Sequence, residues 1–213
     1  MKIAYRGFYT FVLLCLAYSA GLQAEDNSHA AVQVEIVTDM GAIVVEVYPG
    51  IAPTSAGSFL KYVDEGLYSD AGFYRTVRLD NDNGAPKIEV IQGGLLNTDD
   101  VSGVAHETTE QTGLKHTDGA LSLARAAVGT GSGAAFFICI GDQPALDYGA
   151  ARNPDLQGFA VFGKVLSGMD VARKIHVLPG GANVEDAYTK GQILAKPVQF
   201  LSVRRLPNTT DSR

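Results

Sequence analysis

Ser122-Leu-Ala-Arg-Ala-Ala-Val-Gly-Thr-Gly-Ser-Gly-Ala-Ala-Phe-Phe-Ile-Cys-Ile140 reads as a strand, a glycine-rich crossing and a second strand. Leu121 and Leu123 alternate with small or polar neighbours, and Phe136 to Ile140 is a short apolar, aromatic and β-branched run of the kind that forms a buried strand. Gly129, Gly131 and Gly133 free the backbone to bend and let another segment come close. A phosphate cradle is a poor reading. Gly129-Thr-Gly-Ser-Gly133 lacks the Gly-Lys-Ser/Thr ending of a P-loop and the third-glycine spacing of a dinucleotide turn. A nucleophile elbow at Ser132 fails too, because Thr130 and Ala134 stand where glycines are required. On these residues alone the segment is a structural loop joining two strands.

The surrounding composition agrees with one β-rich domain. The chain has 213 residues, 46% hydrophobic and 19% charged, with 24 glycines and no tryptophan. Residues 1–24 read as a secretory signal peptide: Lys2 and Arg6 give a positive start, Phe8 to Ala20 is apolar, and Leu22-Gln-Ala24 offers a small-residue cleavage site. The apolar run is short for a membrane span, and Leu14 before Cys15 does not suit lipid attachment. Without Lys2 and Arg6 the formal charge goes from −6 to −8. An acidic chain with no basic tract makes nucleic acid and stable membrane association poor expectations. Cys139 is then the one remaining cysteine, placed in an apolar strand as a small hydrophobe. His29, His106, His116 and His176 show no ligand spacing, so neither a metal nor another cofactor is expected, and no Ser-His-Asp triad is argued from their order.

Outward from the opening stretch, Val32, Val34 and Ile36, then Ile43, Val45 and Val47, alternate about a turn at Asp39-Met-Gly41 and predict a hairpin. Ala56, Phe59, Leu60 and Val63 fall on one helical face between Pro53 and Gly66. Leu67 to Val77 and Lys87 to Gln92 read as strands, with a hairpin turn at Asn83-Gly84. Asn97 to Thr112 reads as loop, with Glu107 a solvated acid as readily as anything else. Leu114 to Arg125 and Gly158 to Val165 read as strands, Gly168 to Ile175 as a short helix, Val177 to Leu194 as loop, and Val198 to Leu206 as a last strand. Residues 32–206 are one domain, preceded by a polar lead-in and followed by a flexible tail, 207–213.

Five motifs in order carry a family resemblance: Phe73-Tyr-Arg75, Val90-Ile-Gln-Gly-Gly94, Lys115 to Ala124, Phe136-Phe-Ile138 and Phe159-Ala-Val-Phe-Gly-Lys-Val165. Together they resemble the cyclophilin family of peptidyl-prolyl isomerases over nearly the whole chain from Val34 to Leu206. The resemblance implies a mainly β fold, an eight-stranded antiparallel barrel closed by two helices. It implies no cofactor, and proline-containing unfolded or flexible polypeptides as partners of a monomer. The signal peptide and the Ala160-Val-Phe-Gly-Lys-Val165 stretch point to an exported member of the bacterial kind, expected in a periplasm.

The chemistry suits an arginine. Rotating an X–Pro bond breaks amide resonance and leaves a lone pair on the proline nitrogen. A fixed donor aimed there, beside an apolar pocket, favours the twisted state. The resemblance puts Arg75 in that role, with Gln92 bracing it. It makes Phe73, Val90, Ala124, Arg125, Ala135, Phe137, Leu146 and Phe159 the substrate-binding residues. It also exposes departures. Glu89 stands where the family has phenylalanine, Ala135 where it has glutamine, Ala145 where it has tryptophan or phenylalanine, and Arg125 where eukaryotic members have asparagine. Lost rings predict a wider, wetter pocket. The competing reading is the same barrel as a peptide-binding or chaperone module without turnover.

Overall fold

A computed structural model of the chain describes residues 31–97 and 101–207. The expected signal peptide, His29, and all of the tail after Pro207 lie outside the described residues. Eight strands, β1 (Val32–Thr38), β2 (Gly41–Val47), β3 (Ala71–Val77), β4 (Val90–Leu95), β5 (Ala120–Leu123), β6 (Ala135–Cys139), β7 (Ala160–Ser167) and β8 (Ile193–Arg205), close into a barrel in the order β1-β2-β7-β5-β6-β4-β3-β8. Every neighbouring pair is antiparallel, and β8 returns to β1, so no edge is left open. This is the barrel the sequence led us to expect.

Alternation decides what fills it. Val34, Ile36, Ile43, Val45 and Val47 all point inward and are fully buried. One end is plugged by α1 (Pro53–Asp64), whose Phe59 ring packs 5.3 Å from Phe136 and 5.2 Å from Phe162. The other is covered by α3 (Met169–His176), through Val171, Ala172 and Ile175. The glycine crossing explains the first plug. A Cβ at Gly133 would lie 2.6 Å from the Ser58 carbonyl oxygen and 2.7 Å from Phe59 Cα, so only glycine lets the crossing lie against α1. Truncating Phe59 to alanine would cost about 3–5 kcal/mol, as for other buried rings.

Helix α1 starts without a side-chain cap of its own, since Ala52 occupies the N-cap. Glu107 supplies the missing acceptor from across the fold: Thr54 N–H donates to one carboxylate oxygen at 3.0 Å and Ser55 N–H to the other at 2.7 Å. Glu107, which the sequence leaves open between a solvated acid and a structural role, is therefore a remote cap, placed where the helix dipole favours negative charge. Glu107→Ala is expected to lower stability by about 1–2 kcal/mol, with Glu107→Gln losing less, read as shifts in urea midpoint at constant m-value.

Several boundaries differ from the sequence expectation, each for a local reason. Leu67–Asp70 forms a 3-10 turn, so β3 begins at Ala71. A helical turn, α2 (Thr109–Thr112), sits in the segment read as loop, started by a reciprocal capping box between Thr108 and Gln111. The last strand starts earlier, at Ile193. The hairpin turn at Asn83-Gly84 is not formed. Instead residues 78–89 make an arm folded over its neighbours, anchored where Arg152 pairs with the buried Asp82. Gly84 allows this, since a Cβ there would lie 2.5 Å from the Arg152 guanidinium carbon.

Candidate active site

Phe136 and Phe137 are adjacent, so they face opposite sides of β6. Phe136 joins the barrel core. Phe137 joins a second, smaller cluster outside it, with Val77, Ile88, Val90, Leu146 and Val161, against which Ala124, Ala145 and Phe159 also pack. This cluster floors a groove of about 600 Å³. The Phe159 ring meets Phe137 edge-on at 5.3 Å, giving the groove an apolar corner.

Arg75 reaches the groove because β3 carries a bulge. Phe73 pairs with Gly93 and Arg75 with the very next residue, Gln92, so Tyr74 is an extra residue between them. Strict alternation would put Phe73 and Arg75 on one face. The bulge turns Arg75 outward, beside Tyr74, while Phe73 stays in the core. The guanidinium is then held on two sides. Nη1 donates to Gln92 Oε1 at 2.9 Å, and Nε and Nη2 donate to Gln192 Oε1 at 2.9 and 2.6 Å. Gln92 is itself oriented by donating to the Tyr74 hydroxyl at 3.0 Å. The Tyr188 ring lies 5.2 Å from the guanidinium carbon. A fixed cation thus stands beside an apolar corner.

The sequence profile of the family described as cyclophilin type peptidyl-prolyl cis-trans isomerase/CLD matches residues 33–196. The chain belongs to this family. It is 32% identical over 188 residues, 86% of this chain and 90% of its relative, to a peptidyl-prolyl cis-trans isomerase of Acinetobacter baylyi. It is 30% identical to peptidyl-prolyl cis-trans isomerase B of Escherichia coli, over 76% of this chain and 94% of that one. A Cryptosporidium parvum cyclophilin solved in the presence of the dipeptide Ala-Pro shares the fold, with a TM-score of 0.58 at 21% identity, covering 83% of this chain and 99% of that chain.

Within this cyclophilin groove the structure brings together Arg75, Gln92, Val90, Ala124, Arg125, Ala135, Phe137, Leu146 and Phe159. Phe73 is not among them. It is fully buried against Phe136 and Phe200, a core residue rather than a substrate contact. Arg125 forms wall rather than offering a free charge. Its Nε and Nη2 donate to the Gly158 carbonyl, and its outer nitrogens grip Asp155. That pairing draws the Asp155 carboxyl down to about 2. The expected loss of an aromatic at Glu89 also needs correction. Glu89 lies outside the groove, 3.9 Å from His176, and its neighbours Ile88 and Val90 face the groove instead. Alternation thus keeps apolar side chains on the floor. Ala145 packs at the margin of that floor without lining the groove.

Sequence reasoning missed Gln192 and Tyr188, which come from a patternless loop, and a buried support under Phe137. The His116 ring stacks parallel to Phe137 at 5.9 Å, with Nδ1 2.8 Å from Asp147 Oδ1 and Nε2 3.1 Å from Ser122 Oγ. A carboxylate can only accept, so Nδ1 carries the proton and Ser122 donates to Nε2. The order Ser-His-Asp imitates a hydrolase triad. Ser122 and the His116 side chain are fully buried, however, so no substrate reaches them and they brace the floor. Among the described residues no cluster of three or more His, Cys, Asp or Glu is placed to hold a metal.

That support predicts a pH dependence of stability. Burial lowers the His116 pKa below its ordinary 6.5, outweighing the Asp147 carboxylate, which acts to raise it, and Lys115 adds to the lowering. The folded state therefore resists protonating His116 more than the unfolded chain does. This contribution is complete above about pH 6.5 and is lost as pH falls through the lowered folded value. Urea midpoints are expected to drop as pH falls below about 6.5 in wild type, and His116→Asn to flatten that part of the curve.

Proposed function

We propose that the groove catalyses cis-trans isomerisation of X–Pro bonds with Arg75 as the catalytic residue. The observation that carries this reading is the fixed Arg75 guanidinium beside the Phe137, Leu146 and Phe159 corner. The proline ring occupies that corner. The flanking peptide lies along the groove as an added extended segment. As the amide twists, its nitrogen becomes pyramidal and gains a lone pair, and an Arg75 N–H donates to it. The planar amides offer no such acceptor, so the contact favours the twisted state over both isomers. No bond to the protein forms, and no metal or cofactor takes part.

We also propose proline-containing unfolded or flexible chains as substrates, a monomer as the working form, and an exported, bacterial periplasmic setting. The last is supported by the positive start, apolar run and small-residue end of residues 1–24. The deciding experiment is exchange NMR on an Ala-Pro peptide with wild type and Arg75→Ala. Acceleration by wild type that Arg75→Ala loses supports the reading. No acceleration at high enzyme concentration overturns it and leaves the barrel as a peptide-binding module.

A further inference from the structure

A guanidinium at the end of a long side chain catalyses only if its direction is fixed. We propose that Gln192 is the positioning residue for Arg75, and that the arm of residues 78–89 holds Gln192 and its loop in place. The inference rests on the isomerase reading above and adds to it the residues that aim the donor.

Gln192 is fully buried, immediately before β8. Its one side-chain oxygen accepts from both Nε and Nη2 of Arg75, two donors on the same edge of the guanidinium. Such a shared acceptor fixes the guanidinium plane as well as its position. The amide cannot be turned over, because Gln192 Nε2 donates to the Asn81 carbonyl oxygen at 2.9 Å, which leaves the oxygen facing Arg75. The backbone is fixed too, as Thr76 N–H donates to the Gln192 carbonyl at 2.9 Å.

The arm supplies the rest. Asn81 Nδ2 donates to the carbonyls of Gly191 and Thr76, each at 3.1 Å. Asn83 Nδ2 donates to the carbonyls of Tyr188 and Lys190, at 3.2 and 2.9 Å. The two asparagines thus grip the backbone just before Gln192, including the residue whose ring lies against the Arg75 guanidinium. Neither Asn81 nor Asn83 lines the groove, so each acts through Gln192 and Tyr188 rather than on substrate.

Exchange NMR on an Ala-Pro peptide separates the rate on the enzyme from peptide affinity, and the Arg75 Nε–Hε signal reports the guanidinium directly. Gln192→Leu is expected to slow the on-enzyme rate about 10- to 100-fold, leave affinity within about threefold, and remove the protection of the Arg75 Nε–Hε proton from solvent exchange. Gln192→Glu keeps the acceptor for Arg75 but sets its second carboxylate oxygen against the Asn81 carbonyl, so it should recover only part of the rate and of the Arg75 Nε–Hε protection, falling between Gln192→Leu and wild type. Asn83→Ala, exposed and away from the groove, should give the same signature at about two- to fivefold. The proposal is overturned if either Gln192→Leu or Asn83→Ala keeps the wild-type rate and Arg75 signal, or if the rate falls only as the folded fraction falls. If wild type does not accelerate exchange, the isomerase reading fails, while the Arg75 signal still decides whether Gln192 and the arm position it.

Discussion

Arg75→Ala is expected to slow isomerisation on the enzyme by about 10²–10³-fold while leaving peptide affinity within about threefold of wild type. The asymmetry follows from where the contact is made. In the proposed mechanism the apolar corner of Phe137, Leu146 and Phe159, which lines the groove, would hold the proline ring in both planar isomers and in the twisted state, so it would set affinity. In that mechanism the Arg75 contact forms only when the nitrogen has its lone pair, so it would set the rate. A charge-assisted hydrogen bond is worth about 1.5–3 kcal/mol in net stability, and more where the donor is already oriented and water is excluded. Arg75→Lys should recover little of the loss. An ammonium has no planar fork, so it cannot satisfy Gln92 on one edge and Gln192 on the other while still pointing at substrate. Line-shape analysis of the exchanging Ala-Pro peptide gives both constants. A rate within about tenfold of wild type in Arg75→Ala would remove Arg75 from the mechanism.

The parts of this site that were legible in the sequence are those written in periodicity or in motif. Alternation marked β1 and β2, helical spacing marked the Phe59 face, and Gly133 announced a close approach that turned out to be to α1. Phe137 was legible as groove floor because a family motif holds it next to Phe136. Phe73 was misplaced because one extra residue in a strand changes no composition or pattern, yet Tyr74 as a bulge reverses which face Arg75 takes. Glu89 was misjudged for a related reason. Counting back from Gln92 gives a position, but the face each side chain takes depends on how the arm enters β4, and it puts Ile88 and Val90 over the groove. Gln192 and Tyr188 had no signal at all. They lie more than a hundred positions from Arg75 in sequence, in a loop whose value is fixed by hydrogen bonds to another loop. Such contacts leave no mark on local pattern, whereas the Thr108 to Gln111 capping box was local and could have been read.

Breaking the ion pair at the root of the arm should cost as much stability as losing a buried core ring. The side chains of Arg152 and Asp82 are 2% and 0% exposed, and they meet through two bonds, at 2.6 and 2.9 Å. Arg152 also donates to the Pro86 carbonyl at 2.7 Å and the Tyr188 hydroxyl at 2.9 Å, and Asp82 accepts from the backbone N–H groups of Gly84 and Ile88. Arg152→Met leaves a buried carboxylate without its cation and is expected to cost about 3–5 kcal/mol, lowering Tm by roughly 6–20 °C for a domain of this size. The pH dependence separates this cause from simple loss of packing. In wild type, burial pushes the Asp82 carboxyl up, but Arg152 and the two N–H groups outweigh it and hold the pKa below its ordinary 3.8. Its stabilising contribution is therefore present above that value and lost as pH falls through the lowered folded pKa. In Arg152→Met only the burial and the two N–H bonds remain, the carboxyl rises, and protonation relieves the unpaired charge. The deficit relative to wild type should then be largest at neutral pH and shrink towards about pH 4. A deficit that is the same at both ends of that range would mean that Arg152 contributes packing alone and that the pair does not anchor the arm.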